Sequence, residues 1–218
     1  ILLQKMTETP LEEAKNYINP EKEVSTAEDA LNGAKDILAA SVSDNADFRT
    51  HIRELTMKHG QLLSAEKDPE AESVYEMYYE FSESLSKLAG HRILAISRGE
   101  KEKFLTVKID APVDRILSYL DRKLITAPSA PTAAVLHEVT EDAYNRLIAP
   151  AIEREIRSDL FEKAEDGAIR VIGKNLEQLL MQPPIAGQVV LGWDPAFRTG
   201  CKLAVVDPTG KVLDTTVI

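Results

Sequence analysis

The main change in the periodicity of the apolar residues lies near residue 189, and that change restricts the possible folds of this sequence. Up to residue 181 the apolar positions recur mainly at the three- and four-residue spacing of an amphipathic helix. From residue 189 to residue 218, short apolar runs alternate with turn residues, as in "QVVLGWD", "CKLAVVD" and "KVLDTTVI". The sequence therefore predicts a mainly α fold, in which a multi-helical region precedes three strands of an antiparallel meander.

Helix-initiation signals support the first two helices. In "STAEDALNGAKDILAASV", Ser25 or Thr26 can cap a helix, with an acidic residue three positions further on. Asp44 is expected to open a second helix, which carries apolar residues on one face and ends at Gly60. The stretch "PEAESVYEMYYEFSESLSKL", residues 69–88, is predicted to form a third helix that ends at Gly90 and packs an aromatic stripe into the core.

Two further stretches complete the helical region. In "HRILAISRGEKEKFLTVKID" we expect an apolar run, a basic turn that contains a glycine, and an alternating segment. The breaker "TAPSAPT" then marks a joint. Residues 132–181 are predicted to be helical, with breaks at Pro150 and Gly167, and Pro183 and Pro184 close this stretch.

Composition narrows the possible partners and cofactors. The chain has 218 residues, a net charge of −10, one cysteine and four dispersed histidines, so we expect no disulfide, no cofactor and no cysteine–histidine metal centre. Residues 1–90 hold 9 basic and 18 acidic residues, a balance that repels phosphate backbones. There is neither an apolar run of membrane-spanning length nor a signal-peptide pattern, which favours a cytoplasmic protein without membrane contact. The chain starts at Ile1 without a methionine, which suggests a piece of a longer protein.

A local cluster of positive charge is the candidate nucleic-acid contact. Arg92, Arg98, Lys101 and Lys103 lie close together in the sequence and could contact phosphates. Because Glu100 and Glu102 alternate with the lysines, a solvated loop of mixed charge is the alternative. A further candidate is Arg198, in the loop after the first predicted strand of the meander.

Three long motifs carry a resemblance to a known family. "HRILAISRGE", "EDAYNRLIAPAIEREIR" and "LGWDPAFRTGCKLAVVDPTGKVLDT" resemble the bacterial Tex family of transcription accessory proteins. The resemblance implies a Tex-like N-terminal helical region over residues 1–127, a helical connector over 128–186 and, over 187–218, the incomplete start of a YqgF domain, which has an RNase H-like α/β fold. It also implies that helix-hairpin-helix and OB-type modules beyond residue 218 carry most of the binding to RNA or DNA. The transcription machinery is an expected partner.

Two functions remain open from the sequence. The first is a non-enzymatic helical scaffold within a nucleic-acid-binding transcription accessory protein. The second is a metal-dependent nuclease of the RNase H or resolvase type, with Asp194 as its first metal ligand. Related domains commonly read G-x-D-P-G here, whereas this chain has Ala196 in the last position. Because alanine makes a positive φ or a close backbone approach costlier than glycine does, this departure weakens the case for substrate contact in the loop. Asp207 is expected at the opposite end of the sheet and Asp214 near Leu203, so this chain alone is expected not to be a nuclease.

Overall fold

The computed structural model describes residues 1–6, 9–69, 72–183, 185–196, 198 and 200–218. Its α-helices are α1 (Pro10–Ala14), α2 (Ala27–Ser43), α3 (Ala46–His59), α4 (Gly90–Lys101), α5 (Val113–Leu124), α6 (Ala133–Asp142) and α7 (Ala149–Leu180). Its strands are β1 (Gln61–Glu66), β2 (Glu80–Ser84), β3 (Leu105–Asp110), β4 (Val190–Asp194), β5 (Lys202–Val206) and β6 (Val212–Val217). Short 3₁₀ turns cover Lys15–Tyr17, Pro20–Lys22 and Glu76–Tyr78. The expectation of a mainly α fold is confirmed.

Local capping chemistry sets the ends of α2 and α3. Thr26 accepts a hydrogen bond from the Asp29 N–H, and the Asp29 carboxylate accepts one from the Thr26 N–H, so the predicted capping box is present. The expected start of α3 at Asp44 is wrong by one residue, because the Asn45 side chain accepts from the Phe48 N–H and caps the helix. The predicted stop at Gly60 is confirmed.

The predicted third helix over residues 69–88 is wrong. Among the described residues of this stretch, Glu76–Tyr78 form a single 3₁₀ turn and Glu80–Ser84 form β2. Strand β1, which the sequence did not indicate, pairs antiparallel with both β2 and β3, giving a sheet of order β2–β1–β3. Gly90 begins α4 instead of ending a helix. Pairing with β1, which is itself paired with β3, outweighs the weak helical preference of β2.

The two predicted breaks after residue 132 are also wrong. A π-helical turn over Ala143–Ile148 joins α6 to α7, and the Ala149 N–H donates to the Tyr144 oxygen five residues earlier. Because the wider turn shifts the hydrogen-bond register, Pro150 enters the helix although it has no N–H to donate. Gly167 lies inside α7, where one glycine costs only about 1 kcal/mol. The helix ends before Pro183 as predicted, whereas Pro184 lies outside the described residues.

The chain consists of two compact units, residues 1–168 and residues 169–218. In the first unit, helices and the β2–β1–β3 sheet share one apolar core. Among the described residues, its fully buried large side chains include Ile52, Ile96, Leu105, Ile116, Leu120, Leu136, Ile148 and Ile156. None of the helices in the described ranges has a stretch both long and apolar enough to cross a membrane. The domain boundaries expected at 127/128 and 186/187 stay predictions.

In the second unit, strands β4, β5 and β6 form an antiparallel meander, as predicted. The turn before β6 is held by Asp207, whose backbone oxygen accepts from the Gly210 N–H at 3.0 Å. Gly210 has φ +88°, and an irregularity between Val205 and Val206 shifts the register of the hairpin. Asp214 therefore lies opposite Val205, and the expectation that it lies near Leu203 is wrong.

Candidate nucleic-acid interface

The predicted basic turn lies at the C-terminal end of α4, but its turn residue is a lysine. Lys103 has φ +68°, and its N–H donates to the Glu100 oxygen at 3.0 Å. The next N–H, of Phe104, donates to the Gly99 oxygen at 2.9 Å, which completes a Schellman motif. Gly99 itself is buried within α4 against Leu105 and does not form the turn, which corrects the expectation of a glycine-containing turn.

Arg98 forms an ion pair with Glu102, one helical turn further along the chain. Its Nε donates to Glu102 at 2.9 Å, and the other carboxylate oxygen of Glu102 accepts from the Tyr75 hydroxyl at 2.8 Å. These two hydrogen bonds hold the pKa of the Glu102 carboxyl below its ordinary value. Desolvation, and then the bond to Glu102, raise the pKa of Tyr75. Glu102 therefore stays ionised and offsets the positive charge that Arg98 could offer to a phosphate.

Arg92 is not part of the same cluster. It lies nine residues before Lys101 on α4, about 13.5 Å along the helix axis at 1.5 Å per residue. Its guanidinium pairs with Glu83 of β2 at 2.7 Å and lies 5.9 Å from the centre of the Phe81 ring. Arg92 therefore links α4 to β2.

Lys101 and Lys103 are the exposed positive charges left at this end of α4. Neither forms an ion pair or hydrogen bond through its side chain with any residue that the structure describes. The nearby carboxylate of Glu100 is paired with Arg157 of α7, and Arg157 also lies 4.0 Å from Glu153. Two free lysines beside satisfied acids offer a small positive site. Contact of this site with nucleic acid stays a prediction.

Asp194 and Arg198 lie in the second unit. Asp194 ends β4 opposite Lys202, and Arg198 is exposed in the following loop. Asp207 lies at the other end of β5. Its Oδ1 accepts hydrogen bonds from the Thr209 hydroxyl and from two backbone N–H groups, of Thr209 and Lys211. These bonds lower the pKa of the Asp207 carboxyl. Within the described ranges, no three His, Cys, Asp or Glu side chains gather as a metal site would require. A role for Asp194 as a metal ligand and for Arg198 in nucleic-acid binding stays a prediction.

Sequence reasoning missed a polar groove between α3 and α5. We call it the α3–α5 groove, and its volume is about 650 Å³. It is lined by His51, Leu55, Asp114, Arg115, Ser118, Tyr119, Asp121 and Arg122. A signal was present in "DRILSYLDRK", because Arg115, Tyr119 and Arg122 fall at the i, i+4, i+7 spacing that places them on one helix face. The contribution of α3 could not be read from that segment.

Comparisons with known proteins agree with the resemblance in the sequence. A family model described as "Tex central region-like" matches residues 5–172, and one described as "Tex protein YqgF-like domain" matches residues 188–218. The chain is 52% identical over 208 residues to "Uncharacterized protein YdcI" of Bacillus subtilis, a match that covers 94% of this chain and 29% of that protein.

Two further relatives have more informative names. "Protein tex" of Bordetella pertussis is 37% identical over 220 residues, covering 94% of this chain and 28% of that protein. The human "S1 RNA-binding domain-containing protein 1" is 34% identical over 219 residues, covering 93% of this chain and 22% of that protein. The chain thus spans less than a third of the length of these curated relatives. Since the first family model matches well over half of the chain, the chain belongs to the Tex family.

Proposed function

We propose that this chain is the helical framework of a nucleic-acid-binding transcription accessory protein and that it has no catalytic activity of its own. The match of residues 5–172 to the Tex central region carries this proposal. Two relatives' names support it: a 29% identical protein of Neisseria gonorrhoeae is named "Transcriptional accessory protein Tex", and the human relative is named for an S1 RNA-binding domain. The cytoplasm is the proposed location, with the transcription machinery as a proposed partner.

The charge distribution supports a framework role for this part of the protein. Two partly exposed arginines of the first unit form ion pairs between elements: Arg49 with Glu155, and Arg92 with Glu83. With a net charge of −10, the chain offers phosphates few free cations. Segments beyond residue 218 would then supply most of the affinity for RNA or DNA.

The same proposal assigns β4–β6 to the start of a YqgF domain of RNase H-like fold. The antiparallel meander and the match of residues 188–218 to a Tex YqgF-like model support this assignment. The outer strand β6 is exposed on both faces, as expected of strands that need further elements to cover them.

Nucleic-acid binding by two forms of the protein tests the framework role. Fluorescence polarisation with labelled single-stranded RNA, at about 0.15 M salt, would compare this 218-residue chain with the protein extended to the length of its relatives. We expect at least about a hundredfold tighter binding by the extended form, because the added segments carry most phosphate contacts. Equal, submicromolar affinity of both forms would contradict the proposal.

The absence of catalysis is tested separately. Two-metal phosphodiester hydrolysis needs carboxylates around ions roughly 4 Å apart. In the β5–β6 register, Asp214 lies opposite Val205, three residues from the Lys202 position that faces Asp194, or about 10 Å along the strand. Single-stranded and branched substrates should therefore stay intact in millimolar Mg²⁺ or Mn²⁺. Metal-dependent cleavage that is lost in Asp194→Asn would instead favour the nuclease alternative.

A further inference from the structure

One face of α5 carries polar side chains and Tyr119, which packs against the edge of the apolar core and is partly exposed. Ile116 and Leu120 are fully buried on the opposite face. The residues that line the groove from α5 include Arg115, Ser118, Tyr119 and Arg122, spaced i, i+3, i+4 and i+7. Helix α3 closes the other side with His51 and Leu55. The resulting volume of about 650 Å³ lies within the range of small-ligand sites, about 300–1,000 Å³.

Two rings in this groove are already stacked. The His51 and Tyr119 rings lie 4.0 Å apart between centroids at an interplanar angle of 29°. Phe48 contacts Tyr119 edge-on at 6.0 Å, which fixes the orientation of the Tyr119 ring. A base entering the groove can extend this ordered stack without first ordering the rings. Stacking on an aromatic side chain strengthens single-strand binding whatever the base, because every base has a flat π face.

Free positive charge lies beside the rings. Arg115 is exposed, and its side chain has no ion pair or hydrogen bond with any residue in the described ranges. Arg122 donates its Nε to the Ser118 oxygen at 3.1 Å, which leaves its two terminal nitrogens available. Lys123 lies close by, with its Nζ 5.9 Å from the centre of the Tyr119 ring. The two arginines are about 10.5 Å apart along the helix axis, so they can contact different phosphates of one strand.

The two acidic residues of the groove, Asp114 and Asp121, differ in how strongly they oppose the charge of the arginines. Both carboxylate oxygens of Asp121 face α6, where they bond His137 at 2.8 Å and Thr140 at 2.6 Å. Asp114 is exposed, and its side chain has no hydrogen bond or ion pair with the residues that the structure describes. Asp114 therefore opposes a phosphate in the groove, and its removal should strengthen binding.

From this arrangement we infer that the α3–α5 groove binds single-stranded nucleic acid. Arg115 and Arg122 contact phosphates, and the His51–Tyr119 pair stacks with a base. The inference rests on the proposed function and locates in this chain a contact that supplements binding by other segments. The lysines at the end of α4 differ because the ring pair beside them, Tyr75 with Phe104, is tilted by 37° and its Tyr75 ring is buried in the core. These lysines can therefore attract any polyanion but do not offer a stacking surface for a base.

Polarisation titrations of the 218-residue chain with a labelled single-stranded oligonucleotide of about twelve nucleotides test the inference, with RNA and DNA forms of one sequence. At about 0.05 M salt we expect Arg115→Gln/Arg122→Gln to weaken binding at least about tenfold. The slope of log binding constant against log salt concentration should become less steep by about 1.4, that is, by about 0.7 for each lost phosphate contact. Tyr119→Leu should weaken binding at least about fivefold with little change in slope. Asp114→Asn should tighten binding, an effect that damage to the fold cannot mimic.

A matched control carries the same charge change elsewhere. Arg154 and Lys163 are exposed on α7, so Arg154→Gln/Lys163→Gln should weaken binding less than about twofold. Circular dichroism checks that each variant is folded. Equal losses in groove and control variants, unchanged binding by the groove variants, or no wild-type binding at low salt would each overturn the inference. So would duplex or an acidic peptide that binds as tightly as the single strand. The extended protein would still bind RNA in each of these cases if the proposed function holds.

Discussion

Lys103 holds a backbone conformation that favours glycine. Its φ of +68° ends α4 in a Schellman motif, and a left-handed conformation costs a non-glycine residue roughly 1–2 kcal/mol. Lys103→Gly relieves that cost but also makes the unfolded chain more flexible, so we expect a gain in stability of about 0.5–1 kcal/mol. Lys101→Gly, two residues earlier at the last position of the helix, should instead lose up to about 1 kcal/mol. Urea denaturation measures both, and two changes of the same sign would contradict this assignment of the turn.

Gln4 ties the N-terminal segment to the chain that follows α5. It is 8% exposed; its Nε2 donates to the Leu124 oxygen, and its Oε1 accepts from the N–H groups of Thr126 and Ala127 at 2.8–2.9 Å. Gln4→Ala removes three hydrogen bonds and leaves partly buried backbone groups unpaired, which should cost about 2–3 kcal/mol of unfolding free energy. The exposed amide Asn32 of α2 provides a control, since Asn32→Ala should change stability by less than about 0.5 kcal/mol. A loss below about 0.5 kcal/mol for Gln4→Ala would show that solvent replaces the three bonds.

Single residues were predictable from sequence where their partners are local. The Thr26–Asp29 capping box spans three residues, and the pattern alone located it. The neutralisation of Arg92 was not predictable, because its partner Glu83 lies on a strand that the sequence did not indicate. The pairing of Glu100 with Arg157 spans 57 residues and depends on how α4 packs against α7.

At the scale of elements, Gly99 sets how closely α4 approaches β3. A Cβ added at Gly99 would lie 2.7 Å from the Leu105 Cδ1 and 3.1 Å from Tyr75 Cδ1, so α4 or its neighbours must shift. We expect Gly99→Ala to destabilise the first unit by about 1–3 kcal/mol despite the better helix propensity of alanine. Gly33→Ala on α2 is the matched change without a clash, since nothing lies within 4 Å, and it should stabilise by up to about 1 kcal/mol. Thermal or urea unfolding separates the two, and a stabilising Gly99→Ala would contradict close packing of α4 on β3.

Helices with complete local signals were predicted well, and short strands were not. α2 and α3 have caps, apolar stripes and stops within their own sequences. Strands β1 and β2 have only six and five residues, and the segment around β2 carries apolar residues at spacings that also suit a helix. Pairing decides their structure: β2 pairs with β1, and β1 also pairs with β3 in a register that joins distant residues such as Gln61 and Asp110.

At the scale of the whole molecule, the sequence predicted the mainly α fold and the final meander, but not the β2–β1–β3 sheet within the helical region. The change from helical to strand periodicity near residue 189 is confirmed, because each pattern is local. The α3–α5 groove was missed because His51 and Tyr119 come from helices that meet only in the folded unit. By contrast, the charged residues at the end of α4 were visible in the sequence, but the ion pairs of Glu102 with Arg98 and of Glu100 with Arg157 were not.

Hydrogen exchange can compare the stability of the two sheets, each within its own unit. Ser64 is buried at the centre of β1, between Phe81 and Val107, and Ala204 occupies the equivalent central position in β5, between Gly192 and Thr215. Both strands are hydrogen-bonded on two sides, but β1 lies in the apolar core, whereas β6 beside β5 is exposed throughout. Since apolar burial, not strand pairing alone, resists opening, amides of β1 should exchange at least about a hundredfold more slowly than those of β5. Equal protection, measured by mass spectrometry or NMR on the 218-residue chain, would show that β4–β6 are stable without a covering layer.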